Sequence, residues 1–135
     1  MSATPATRWD VLLAIGAGGA LGSLARYGLS VAIPHGRGEF AVATLVTNVL
    51  GCLLIGVLMA VLTTTARPHH LARPFLGVGV LGGFTTFSTF VADTLDAATT
   101  GRILASLGYV LASVALCLAA VTAGLTATRA LRKGH

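Results

Sequence analysis

Four long apolar runs, at about residues 11–33, 40–62, 74–96 and 103–127, determine what this chain can fold into. Each run has about the 20 residues that a helix needs to cross the ~30 Å hydrocarbon core of a bilayer. Only 10% of the residues are charged, against roughly 25% in an average soluble domain. Because lipid cannot hydrogen-bond to exposed backbone, spans of this kind are helical. The sequence therefore predicts an all-α membrane protein in which residues 1–135 form a single unit of four transmembrane helices.

Charged residues in the joints between the runs predict the orientation of the chain. The joints are short, so consecutive helices should run antiparallel. Lys and Arg concentrate on the cytoplasmic side of membrane proteins. The side with both termini and the second joint carries Arg8, Arg67, Arg73, Arg129, Arg132 and Lys133. The opposite side carries Arg37 and Arg102. This bias predicts a multi-pass protein of the plasma membrane with both termini in the cytoplasm.

The residue types that are missing from the spans exclude several classes of function. No His lies in a span, and the acidic residues of the runs are confined to Asp10 at the very edge of the first and to Asp93 and Asp96 late in the third. Proton-coupled transporters usually need an intramembrane relay of such groups. The sequence has no Ser–His–Asp set, HExxH or P-loop, so we expect no enzyme. The net charge of +5 comes without a basic patch interleaved with aromatics, so nucleic acid is not an expected partner.

The most specific stretch is residues 82–90 of the third run, with the sequence GGFTTFSTF. Two adjacent glycines weaken a helix, and the hydroxyls of Thr85, Thr86, Ser88 and Thr89 compete for backbone groups. We therefore predict that the third helix is broken at mid-membrane, which is tolerated only where the backbone is buried in protein or lines a cavity. Carbonyl oxygens released at such a break are ligands for a small hard cation such as Na⁺.

Phenylalanines recur every third residue in this stretch, at Phe84, Phe87 and Phe90. The edge of a phenyl ring carries partial positive charge, so edges that face a pathway can partly solvate a small anion. The alternative is that the row packs in the core or faces lipid.

Polar residues in the other spans also have two interpretations each. Arg26 either snorkels to the nearer interface or presents a fixed positive charge to anions. Asn48 either joins two helices or offers its amide NH₂ to an anion as two donors. On the fourth span Ser106, Tyr109, Ser113 and Cys117 fall on roughly one stripe, which could form a second wall of a polar track.

Three segments together resemble the Fluc fluoride channels, also called CrcB proteins: residues 18–27 (GGALGSLARY), 47–51 (TNVLG) and 82–90. The resemblance covers nearly the whole chain. It implies a fluoride-selective channel that exports cytoplasmic fluoride by passive permeation and so lowers fluoride toxicity. It also implies two antiparallel four-helix subunits that enclose two pores, with a structural Na⁺ at the dimer centre.

The resemblance also implies roles for particular residues. The Na⁺ ligands correspond to the backbone carbonyls of Gly82 and Thr85. The anion pathway corresponds to Arg26, Asn48, Phe87, Ser88, Thr89, Phe90, Tyr109 and Ser113, and it continues toward Asp93. Cys117 departs from the pattern, because a hydroxyl is common at that position. The biased loop charges suit one member of a pair of unlike subunits, so both a homodimer and a heterodimer with a homologous subunit stay open. The implied partners are fluoride, Na⁺, the lipid bilayer and this second subunit.

Two other functions are compatible with four apolar spans. A small four-span drug/proton exporter would need a carboxylate within the first span to couple protons, and the sequence has none there. A non-transporting membrane scaffold would use its glycines and hydroxyls only to pack helices, and it predicts no ion flux.

Overall fold

A computed structural model describes residues 8–133 of the chain, which form helices joined by short loops. The first two spans are α1 (Trp9–Ala32) and α2 (Val42–Thr64). The third span consists of α3 (Arg73–Leu81), which continues through the helical turn Gly82–Phe84, and of α4 (Ser88–Thr99). The fourth span is α5 (Ile103–Lys133).

Four helices in this structure are long and apolar enough to cross a membrane. The predicted all-α class with four transmembrane helices is therefore confirmed. The predicted run 103–127 is part of a longer helix, since α5 continues to Lys133. The loop charges predict that both termini are cytoplasmic, and residues 1–7 and 134–135 lie outside the described residues.

The first and third spans pack backbone to backbone. A Cβ atom at Gly18 or Gly22 would collide with the main chain of α3, at Phe75 and Val80 respectively. Small residues allow membrane helices to approach closely where lipid supplies no hydrophobic driving force between them. Gly18 and Gly22 of α1 therefore serve packing, and α1 holds the first half of the third span in place, from α3 through the turn Gly82–Phe84.

The second and fourth spans form the other close pair, and they run parallel. Gly56 of α2 lies against the backbone of Val121, and Gly124 of α5 lies against that of Leu53. Near the ends of both helices the guanidinium of Arg132 donates to the Val61 carbonyl oxygen at 3.1 Å. A residue of α5 thus lies beside the residue of α2 whose number is about 65–71 smaller. This alignment of the two helices positions the functional side chains described below.

The third span changes its hydrogen bonding along its length. α3 has the wider π-helical pattern, in which each N–H donates to the carbonyl five residues earlier. The helical backbone then ends after Phe84 and resumes at Ser88. Thr85 between them has an extended backbone (φ −74°, ψ 158°), although its N–H still donates to the Leu81 carbonyl. The interruption lies near the middle of the span Arg73–Thr99.

Candidate ion pathway at the helix interruption

The side chain of Asn48 is bonded to the interrupted backbone of the third span. Its Nδ2 donates to the carbonyl oxygen of Thr86 at 2.9 Å, and the Thr86 N–H donates to Oδ1 at 2.8 Å. In an uninterrupted helix the Thr86 N–H would donate to the Gly82 carbonyl. Asn48 therefore joins two helices, as one of its two interpretations predicted, and it also retains one Nδ2 hydrogen for another acceptor.

The hydroxyl of Thr86 replaces a second helical bond. The Thr89 N–H donates to Thr86 Oγ1 at 3.1 Å, and this hydroxyl in turn donates to Thr89 Oγ1 at 3.0 Å. In a continuous helix the Thr89 N–H would donate to the Thr85 carbonyl. The carbonyl oxygens of Gly82 and Thr85, which the family resemblance implies as Na⁺ ligands, are thus among those that lose their helical donors.

Two cavities lie on either side of this interruption, and the buried residue Thr86 lines both of them. The first has a volume of about 460 Å³ and brings together Asn48, Phe87, Phe90 and Ser113. The second has a volume of about 390 Å³ and brings together Arg26, Ser88 and Thr89. Seven of the predicted pathway residues are therefore distributed over two neighbouring cavities.

The eighth residue, Tyr109, joins the first cavity through a row of aromatic rings. The centroids of Phe87 and Phe90 are 5.9 Å apart, and those of Phe90 and Tyr109 are 5.5 Å apart. Phe40 closes the row with its ring perpendicular to that of Tyr109, at 5.1 Å. Sequence reasoning missed Phe40, because nothing in its spacing indicates that the start of α2 meets α5 at this level.

Two hydroxyl groups next to this row have no hydrogen-bond partner within residues 8–133. They are the Tyr109 OH and the Ser113 Oγ, and both atoms are buried. Buried polar groups are nearly always satisfied in folded proteins, and an unsatisfied one in an apolar environment costs free energy. These hydroxyls are therefore available to a small acceptor that enters the site.

The acidic side chain at the far end of the track, Asp93, is anchored rather than free. Thr44 Oγ1 donates to its Oδ2 at 2.7 Å, and His35 Nε2 lies 3.4 Å from its Oδ1. Thr44 precedes Asn48 by four residues and so lies on the same face of α2, and both side chains contact the third span. His35 has no sequence signal for this contact, since it lies in a loop 58 residues away.

A cation at this site would be held by neutral oxygens rather than by carboxylates. Within the described part of the chain no group of three or more His, Cys, Asp and Glu side chains is placed to hold a metal ion. Carbonyl oxygens suit hard cations such as Na⁺, and those of Gly82 and Thr85 are free of their helical donors. The donor chemistry is thus compatible with the predicted ion.

Together the fold and the site define a small membrane protein whose third span is interrupted beside two cavities that combine polar and apolar side chains. The family model for "CrcB-like protein, Camphor Resistance (CrcB)" matches residues 13–125. The chain belongs to this CrcB family, and the resemblance stated from its motifs is confirmed.

Curated relatives with similar sequences are named as fluoride channels. "Fluoride-specific ion channel FluC 2" of Thermobifida fusca is 60% identical over 89 residues, which are 66% of this chain and 66% of that protein. "Fluoride-specific ion channel FluC 2" of Nocardia farcinica is 48% identical over 72% of this chain and 69% of that protein. "Fluoride-specific ion channel FluC" of Paracoccus denitrificans is 50% identical over 119 residues, 88% of this chain and 94% of that protein. The match thus spans about two thirds of the length of the first two relatives and nearly all of the third.

Proposed function

We propose that this chain is a subunit of a fluoride-selective channel of the plasma membrane, through which cytoplasmic fluoride leaves by passive permeation. Relatives over most of the chain are named fluoride-specific ion channels. The observation that carries the proposal is the pair of buried, unpartnered hydroxyls of Tyr109 and Ser113 beside the ring of Phe90. A small anion that accepts hydrogen bonds is the ligand that such donors lack.

Fluoride would exchange its water for groups of the two cavities. Asn48 retains one N–H, the two buried hydroxyls can donate, and the rings of Phe87 and Phe90 can present their positive edges. Lining groups that replace the hydration shell are a general means of ion selection. A donor set built closely around a small ion excludes the larger chloride. No catalytic chemistry is needed, so we propose a channel rather than an enzyme.

Arg26 would concentrate anions in the second cavity, about two-thirds of the way along α1. A fixed charge in a cleft with low-dielectric walls raises the local concentration of counter-ions. Ser88 and Thr89 line the same cavity and would receive the anion from the arginine. Thr86 separates this cavity from the aromatic row, so a fluoride ion would pass the helix interruption on its way through.

We also propose a dimer with a structural Na⁺ at its centre. The interrupted segment lies on an exposed face of the single chain: Phe87 is 77% exposed, although its ring is large and apolar. A second subunit that covers this face would bring two more carbonyls to those of Gly82 and Thr85, and the four oxygens would surround one Na⁺. The bound ion would supply a fixed positive charge at the subunit interface. The second subunit is either another copy of this chain or a homologous one.

A proton-coupled exporter fits the geometry less well. Asp10, the acidic residue of the first span, lies at the very start of α1. Its carboxylate is 3.0 Å from the Arg8 guanidinium and 3.1 Å from His70 Nε2. A carboxylate held by side chains at the end of the helix cannot carry protons at the middle of the membrane.

The proposed role of the phenyl edges can be tested by substitution in purified protein in liposomes. Phe87→Ile and Phe90→Ile keep an apolar side chain but remove the ring, and an aromatic contact of about 1 kcal/mol corresponds to about fivefold in rate. We expect each variant to lose at least roughly fivefold in fluoride efflux, measured with a fluoride electrode, because the ion loses its edge contacts.

Phe75→Ile is the matched control, since Phe75 lies on the same span but outside both cavities. Unchanged fluoride efflux in both pathway variants would remove the edge contacts from the mechanism. A loss of efflux in the control as large as in the pathway variants would show that packing, rather than ion contact, is being measured.

A further inference from the structure

The first cavity contains two side chains to which the proposed fluoride pathway assigns no role. The chain has two cysteines, Cys52 and Cys117. Both are free thiols, both are half-buried, and both line the cavity that Phe87 and Phe90 also line. Each alone would pass for a small hydrophobic residue, but their shared location requires a different explanation.

The parallel packing of α2 and α5 places the two thiols at the same level. Gly56 faces Val121 across this helix pair, and Cys52 and Cys117 each lie one turn before those residues. Cys117 accordingly lies beside Cys52. The neighbouring wall is apolar at Ile55 and Val114, and no histidine or carboxylate lines the cavity. Two sulfur atoms are thus the soft donors of an otherwise apolar wall.

We propose that Cys52 and Cys117 form a two-sulfur binding site for a soft monovalent metal ion of the Cu⁺ and Ag⁺ class. Thiolate sulfur selects soft ions of this kind over hard ones, and such ions are satisfied by two ligands. On binding, one thiol gives up its proton to solvent and becomes a thiolate, while the other coordinates through a lone pair. The complex of one cation and one thiolate is neutral, so it suits a wall without other charges. Na⁺ and fluoride, both hard ions, would not compete for it.

A metal ion at this site would lie in the cavity that we propose fluoride crosses. Bound metal would therefore block fluoride efflux, a consequence that depends on the proposed function. Metal binding itself does not depend on it, so the two can be measured separately.

Binding is tested by titrating the purified full-length protein with silver nitrate in chloride-free buffer and measuring the heat released. We expect one high-affinity Ag⁺ per chain. Cys52→Ser and Cys117→Ser should each weaken Ag⁺ binding by at least roughly 10–100-fold. Loss of a residue that only hydrogen-bonds to a metal ligand already weakens metal binding by this factor, and each cysteine is itself a ligand. The double variant, which lacks both cysteines, measures background Ag⁺ binding by the four histidines and two methionines of the chain. This background is subtracted from the binding of the wild type.

Several results would overturn the two-sulfur site. Two independent Ag⁺ ions per chain, or single variants that retain the wild-type affinity, would show that the cysteines bind separately. The second measurement is fluoride efflux from liposomes with and without Ag⁺, each variant being compared with its own untreated rate. Block of the wild type but not of the double variant supports the placement in the pathway. One bound Ag⁺ per chain without block would support the metal site and contradict the proposed pathway.

Discussion

Substitution of Thr86 by valine tests whether the helix interruption is needed for Na⁺ binding, and it leaves the proposed anion donors in place. Valine keeps the shape of threonine but removes the hydroxyl, which accepts from the Thr89 N–H and donates to Thr89 Oγ1. The freed Thr89 N–H can then return to the Thr85 carbonyl and close the helix across the interruption. We expect Thr86→Val to weaken the proposed Na⁺ site, because a carbonyl that accepts a helical bond is a poorer ligand.

The size of the effect follows from the two lost bonds. A side chain that accepts from a backbone N–H at the start of a helix contributes about 1 kcal/mol, and a neutral hydrogen bond contributes about the same. Hydrogen bonds in membrane proteins are often weaker, with an average near 0.6 kcal/mol. The expected loss is therefore about 1–2 kcal/mol, which corresponds to a fall in Na⁺ affinity of about 5–30-fold.

Thr85→Val is the matched control, because it makes the same change one residue away. The Thr85 hydroxyl donates to the Leu81 carbonyl at 2.9 Å, and that carbonyl also accepts the Thr85 N–H at 3.0 Å. Its removal leaves no backbone group unpaired, and the Thr85 carbonyl is unchanged. The two variants should therefore differ from each other in how their stability depends on Na⁺ concentration.

The assay is the thermal unfolding temperature of the detergent-solubilised protein as Na⁺ replaces an organic cation at constant ionic strength. We expect Thr86→Val to need a higher Na⁺ concentration for the same stabilisation and Thr85→Val to resemble the wild type. Equal shifts in the two variants, or no shift in either, would refute the link between the Thr86 hydroxyl and the released carbonyls.

Two further substitutions test other contacts of the site. Asn48→Asp should abolish most fluoride efflux from liposomes, because an ionised carboxylate only accepts hydrogen bonds. It would repel both the anion and the Thr86 carbonyl oxygen, to which Asn48 donates. Efflux equal to that of the wild type would contradict a contact between Asn48 and the anion. Gly22→Ala should destabilise the protein by about 1–3 kcal/mol, as overpacking does, because its Cβ would meet the backbone of Val80. Gly28→Ala, where a Cβ meets open space, is its control in a denaturant titration and should be neutral or slightly stabilising.

The helices of this protein were predictable because each depends on local sequence. Apolar runs of about 20 residues identify the four spans by length alone. The interruption is also encoded locally, since Gly82 and Gly83 weaken the helix and the hydroxyls that follow compete for its backbone groups. The π-helical hydrogen bonding of α3 has no such local signal and was not predicted.

Contacts between spans could be predicted only where a polar face points to a partner. Thr44 and Asn48 share one face of α2, and both contact the third span as a shared polar face would favour. The side chain of Asn48 supported two interpretations from sequence. Only the structure shows that one of its two amide hydrogens is already donated to the Thr86 carbonyl oxygen. The pairing of α2 with α5 was not predictable, because the apolar surfaces of both helices look alike in sequence. For the same reason neither Phe40 beside Tyr109 nor Cys52 beside Cys117 could be anticipated.

Anion selectivity of the purified chain in liposomes tests the central proposal most directly. Vesicles loaded with equal concentrations of fluoride and chloride are diluted into solution without either ion, and efflux of each is followed with its own electrode. We predict fast release of fluoride without release of chloride. Comparable release of both ions, or release of neither whether the chain is reconstituted alone or with a homologous subunit, would contradict a fluoride-selective channel.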